Sequence, residues 1–209
     1  MSEYKITCCS TVDMPAAYFE EKKLPFVCFH FHMNGVEYPD DLGKSMPFEE
    51  FYKKIEEGAE PTTAQVNVQQ YMELFEPILK EGMDILHLTL SSGITGSINS
   101  ANIAKEQLEE KYPERKIFVV DSLAASSGYG MLVDAALENQ DHGFSLEDNV
   151  KWIEENRNRL HHWFFSTDLT SFIRGGRISK VSGFVGQALN ICPLMNVNTE
   201  GKCRLCVKW

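Results

Sequence analysis

The sequence predicts an α/β protein: a mainly parallel sheet with flanking helices, plus the start of a second, smaller α/β domain. Three observations predict it. Short apolar runs of strand type alternate with stretches of helical periodicity. Several of those runs end in polar residues where they hand over to a helix, the place where such sheets hold ligands. After Asp168 the alternation gives way to a Gly-rich loop, a short amphipathic helix and two strands around a turn. Residues 1–165 are therefore assigned to an N-terminal α/β domain. Residues 166–209 carry the Gly-Gly-Arg loop, a helix and a hairpin. A hairpin alone is marginal, so this second domain reads as incomplete.

The elements follow in order. YKITCCS (4–10) reads as a strand, and the turn after it offers Pro15 as a helix start. LPFVCFHFHMNG (24–35) reads as a second strand ending at the turn pair Asn34-Gly35. PFEEFYKKIEEG (47–58) has helical periodicity, with Phe48, Phe51, Tyr52 and Ile55 on one face and Gly58 as the stop. VNVQQYMELFEPILKEG (66–82) is a further helix, with Tyr71, Leu74, Phe75 and Ile78 aligned. Strand DILHLTL, helix 97–111, strand KIFVVDS and helix GYGMLVDAALEN come next. Helix 145–159 starts at Ser145, a good N-cap residue. Strand HWFFSTD (162–168) follows, and NTEGK (198–202) turns the final hairpin.

Bulk properties narrow the function. Among 209 residues, 43% are hydrophobic and 24% charged, enough for a substantial core. A net charge of −10 with no basic run excludes a nucleic-acid footprint and disfavours anionic membranes. The apolar runs are too short to anchor the chain stably in a bilayer. No basic segment followed by an apolar stretch opens the chain, so a cytoplasmic location is expected. Cys8, Cys9, Cys28 and Cys192 lie in or beside apolar runs and behave as small hydrophobes. Cys203 and Cys206 form a single C-x-x-C without a companion pair, and adjacent His161 and His162 point to opposite faces of a strand. No metal or cofactor is expected.

The segment TLSSGITGSINSA (89–101) is the richest in chemistry. It places Thr89, Ser91, Ser92, Thr95, Ser97 and Ser100 where a strand enters a helix. It lacks the G-x-S-x-G nucleophile elbow, and no base stands near the turn in sequence. There is no phosphate loop of the G-x-x-x-x-G-K-[ST] type; LGKS (42–45) has only its tail, and SGYGML (127–132) only two of three glycines. What remains is an anion cradle: free N–H groups of a helix start joined by neutral hydroxyl donors. A single N-cap accounts for one hydroxyl, whereas a bound carboxylate or phosphate employs several.

Several motifs, in order, resemble those of the DegV family, the fatty-acid-binding subunits of bacterial fatty-acid kinase systems. CCSTVDMP (8–15) resembles the family's D-S-T-x-D-[LV]-P opening. YPDDLGKSMPFEEFYKKIEEGAEPTTAQVN (38–67) resembles the helix leading into P-x-T-S-Q-P-S. LTLSSGITGSINSANIA (88–104) resembles S-S-x-L-S-G-T-x-x-S-A. VVDSLAASSGYGMLV (119–133) and LTSFIRGGRISKVSGFVGQALNICPLM (169–195) resemble the V-x-D-[ST] and G-G-R-[IV]-S segments. The resemblance implies a long-chain fatty acid held between two domains, presented to a kinase partner by a protein that is a carrier and not an enzyme. It implies a carboxylate held by Thr63, Ser91, Ser92 and Thr95, with Gly96 and Ser97 at the helix start. It makes the loop of Arg174 and Arg177 a head-group or partner contact. Burying a sixteen-carbon chain at about 0.8 kcal/mol per CH₂ supplies on the order of 10 kcal/mol before costs, so the head group needs specificity more than strength.

Three departures stand out. Cys9 replaces the opening Asp, T-S-Q-P-S has become Thr63-Ala64-Gln65-Val66-Asn67, and the family continues past Trp209, so a C-terminally truncated chain is expected. Two rival readings stay open: a hydrolase or phosphoryl-transfer enzyme using the same cradle, and a degenerate interaction module.

Overall fold

The computed structural model describes residues 3–178 and 192–207. Four parallel strands form the central sheet in the order β2 (Phe26–Val27), β1 (Tyr4–Cys9), β6 (Asp84–Thr89) and β7 (Ile117–Asp121). β6 is buried along its whole length, as an apolar run inside a parallel sheet should be. Helices α3 (Val68–Lys80) and α4 (Ser97–Lys111) pack on each other, and α5 (Ser126–Asp141) packs on α6 (Leu146–Asn156). The expected α/β architecture is present, and Ser145 caps α6 through the Asp148 N–H.

The run 24–35 is two strands instead of one. Its first half, β2, pairs with β1 at Cys8 and Cys9. The chain then leaves that sheet, and the Phe29 N–H donates to Ser10 Oγ. The second half, β3 (His30–Met33), joins β4 (Val36–Pro39) and β5 (Thr62–Ala64) in a separate antiparallel sheet, order β4-β3-β5. Asn34 and Gly35 both have positive φ, 53° and 80°, which matches the twist a two-residue hairpin requires.

Two short helices complete this unit. α1 (Ala16–Glu21) follows Pro15, which occupies the capping position. α2 (Phe48–Glu56) ends before Gly58, whose φ is 99°. The apolar face predicted for α2 exists but is not covered. Phe48 is 60% and Tyr52 62% exposed, and only Phe51 packs inward, 5.1 Å from the ring of Phe31.

Strand HWFFSTD forms β8 (His162–Phe165), but it does not extend the parallel sheet. It pairs antiparallel with β9 (Leu194–Val197), which pairs with β10 (Cys203–Val207). Met195, Leu169 and Ile178 are buried on one face of this sheet with Phe164 and Phe172 against them. Residues Thr170–Arg174, read as part of a Gly-rich loop, form a short helix, α7, before the glycines. The amphipathic helix expected after Arg177 lies outside the described residues, apart from Ile178.

Candidate functional site

The loop from β6 to α4 is held by hydrogen bonds within itself and to the segment after β7. The Ser91 N–H donates to Ala124 O, and the Ile94 and Thr95 N–H groups donate back to Ser91 O at 3.0 and 3.1 Å. The Ser92 and Leu123 N–H groups donate to Asp121 Oδ1 at 3.1 and 3.0 Å. Asp121 and Ser122 therefore brace the loop from behind; they do not open onto the ligand space. Ser10 acts similarly by holding Phe29. The polar ends of β1 and β7 thus serve as supports.

In front of the loop lies a crevice of about 530 Å³, a volume within the range of small-molecule sites. Its walls are Thr63 and Ala64 from β5, Gln65 just after it, Gly93 to Gly96 from the loop, Gly175 to Arg177 after α7, and Lys202 and Cys203 from the hairpin, together with Phe29. Of the residues read from sequence, Thr63, Thr95, Gly96 and Arg177 line this space. Thr95 Oγ1 accepts the Ser97 N–H at 3.2 Å, which leaves its hydroxyl proton to donate. The N-cap residue of α4 is Gly96, which has no side chain to bond the first turn, so the crevice faces a helix start whose one side-chain partner among the described residues is Thr95.

The other hydroxyls have different work. Ser91 is fully buried, and its Oγ donates to Gly201 O at 2.7 Å while accepting the Gly93 N–H at 3.1 Å. It ties the β9–β10 turn to the loop. That contact needs glycine on both sides: a Cβ on Gly201 would stand 2.0 Å from Ser91 Oγ, and one on Gly93 would stand 2.6 Å from the Gly201 carbonyl carbon. Ser92 is exposed but does not line the crevice. Ser97 is fully buried with its Oγ 2.7 Å from Tyr71 Oη. Arg174 turns away to pair with Glu60. Arg177 folds over Gly175, donating to its carbonyl at 2.6 Å.

Beneath Ser97 runs a buried polar chain. Tyr71 Oη lies 3.7 Å from Cys9 Sγ, Cys9 Sγ 3.8 Å from His87 Nε2, and His87 Nδ1 2.8 Å from Thr7 Oγ1. The Cys9 N–H donates to Tyr129 Oη, whose own proton goes to Leu88 O. Burial pushes the Cys9 thiol up and the His87 imidazole down to about 3. Both are neutral at pH 7, so this Cys–His contact is not an activated nucleophile. Cys9, standing where the resembled motif has Asp, is thus a buried packing and hydrogen-bonding residue.

Gln65, Lys202 and Cys203 line the crevice without having been singled out as ligand contacts from sequence. Lys202 ends the NTEGK turn, and nothing in its pattern tells a wall residue from a surface one; its ammonium pairs with Glu200 at 2.9 Å. Burial raises the Cys203 thiol, while Cys206 donates to Arg204 O. His162 packs its ring against Gly128 of α5, with Nε2 buried and unpartnered. Among the described residues no group of three or more His, Cys, Asp or Glu side chains is arranged to hold a metal ion.

The family model described as "Uncharacterised protein, DegV family" matches residues 3–209. A DegV domain-containing protein of Clostridium perfringens is 36% identical over 202 residues, which are 97% of this chain and 69% of that protein. A solved structure described as fatty acid binding of a DegV family protein from Thermus thermophilus superposes with a TM-score of 0.83 at 31% identity, covering 100% of this chain and 71% of the other. The Streptococcus pneumoniae Fatty Acid Kinase (Fak) B3 protein, loaded with linoleic acid, superposes with a TM-score of 0.82 at 26% identity, covering 99% and 72%.

Proposed function

This chain belongs to the DegV family, and on that premise we propose that it binds a long-chain fatty acid and presents it to a fatty-acid kinase partner in the cytoplasm. The observation that carries the reading is the meeting of Thr63 and Thr95 across one crevice, at the N-terminal start of α4. A carboxylate there accepts from the Thr95 hydroxyl, from Thr63 and from the helix start, without a buried full positive charge to desolvate. Arg177 supplies a cation at the rim, and its loop with Arg174 is the surface offered to the kinase. Phe29 and Ile94 give the first methylenes an apolar path.

The similarity to a fatty-acid-binding relative and to a Fak B3 protein supports this reading. A hydrolase on the same cradle is disfavoured by geometry. The Ser91 and Ser97 hydroxyls are held in buried bonds, and His87 is in contact with Thr7 and Cys9, not with either serine. The described residues contain no helix long and apolar enough to cross a membrane. Mass spectrometry of an organic extract from the purified protein tests the reading. A co-purified acyl species, or stoichiometric uptake of added palmitate, is expected. Neither appearing would refute it. Acyl phosphate formed by a fatty-acid kinase and ATP only when this chain is present tests the partner.

A further inference from the structure

We propose that Tyr71 is the positioning residue of the head-group cradle, setting the Thr95 hydroxyl through Ser97. The inference rests on the crevice being the carboxylate site. Tyr71 and Ser97 are both fully buried, and their oxygens are 2.7 Å apart. Ser97 is the first residue of α4, and its N–H donates to Thr95 Oγ1. The bond from Tyr71 therefore fixes Ser97. Ser97 in turn occupies a lone pair of Thr95 and leaves the Thr95 proton for the crevice. Tyr71 itself cannot drift. Its ring packs 5.6 Å from Phe75 and 5.2 Å from His87, and its hydroxyl also meets Cys9.

The same helix carries the opposite wall. α3 begins in a capping box between Asn67 and Gln70, shortly after β5, which holds Thr63, and after Gln65. Tyr71, one turn inside α3, thus locks the Thr63 wall to the Thr95 wall. A donor pair acts as a cradle only if its spacing is held, and supporting groups that touch no ligand do that holding. A core-filling aromatic explains the ring of Tyr71 but not its hydroxyl, which a Phe would spare at no cost in volume.

The test measures affinity for palmitate and for methyl palmitate, together with the thermal midpoint. The proteins are the wild type, Tyr71→Phe, Ser97→Ala, their double variant, and Tyr129→Phe as a control. The control removes a buried hydroxyl from the same core without touching α4. Tyr71→Phe is expected to weaken palmitate about tenfold and leave the ester unchanged. The double variant should be no weaker than the stronger single one, because both remove one bond. Tyr129→Phe should lower the midpoint and keep the acid-to-ester ratio. Ser97→Ala breaks the same bond with the Tyr71 ring intact, so a poorly folding Tyr71→Phe does not rescue the proposal. An unchanged ratio in Ser97→Ala and Tyr71→Phe overturns it while the carboxylate reading stands. A wild type that fails to prefer acid over ester overturns both.

Discussion

Helices α2 and α3 read alike in the sequence and sit in opposite surroundings. Each has an apolar stripe at helical spacing. α3 buries Tyr71, Phe75, Ile78 and Leu79 against the parallel sheet and α4. α2 buries none of its residues. Periodicity specifies that a helix has an apolar face, but the rest of the fold decides what covers that face. The consequence reaches the crevice. The covered face of α3 supplies the rings that surround His87 and the hydroxyl that holds Ser97. α2 reaches the crevice only indirectly, through Phe51 on Phe31, whose register partner is Thr63.

The sharpest way to break that contrast is to delete the centre of the α3 face. Phe75→Ala should cost about 3–5 kcal/mol in urea denaturation. A loss below about 1 kcal/mol would mean the α3 interface is loose. Acid exposes the same region next. Burial holds His87 at about 3 in the folded protein, against 6.5 for an ordinary imidazole. Between those values the unfolded chain binds a proton that the folded chain refuses. This contribution is intact above pH 6.5 and is lost as pH falls, at up to about 1.4 kcal/mol per pH unit. Denaturation midpoints of wild type and His87→Leu at pH 7 and pH 5 check it: the wild type should lose more on acidification. The smallest effect belongs to α2. Tyr52→Ser should move stability by no more than about 0.5 kcal/mol, because the ring is already in water. A large loss there would show that something covers α2 in solution.

The parallel sheet was legible because β1, β6 and β7 are compact apolar runs ending in polar turns. The antiparallel sheet around β3 was not. β4 is short and half exposed, and β5 is three residues of mixed character, so neither carries a strand signal. The hydroxyl segment was legible as a cluster but not residue by residue. Ser91 and Ser92 are neighbours with opposite fates, and only tertiary contacts with Gly201 and Asp121 separate them. Thr63 came from the family resemblance; its own strand offers no sign of a site. Tyr71 was legible as a core aromatic, while its hydroxyl bond to a residue 26 positions away was not.

The central proposal is a carboxylate lying between Thr63 and Thr95. Titration of Thr63→Val together with Thr95→Val against palmitate and methyl palmitate measures that most directly. Palmitate binding should weaken about tenfold or more, at roughly 1 kcal/mol per lost hydrogen bond, with the ester unaffected. Equal affinity of the double variant and the wild type for palmitate would contradict it and place the head group elsewhere.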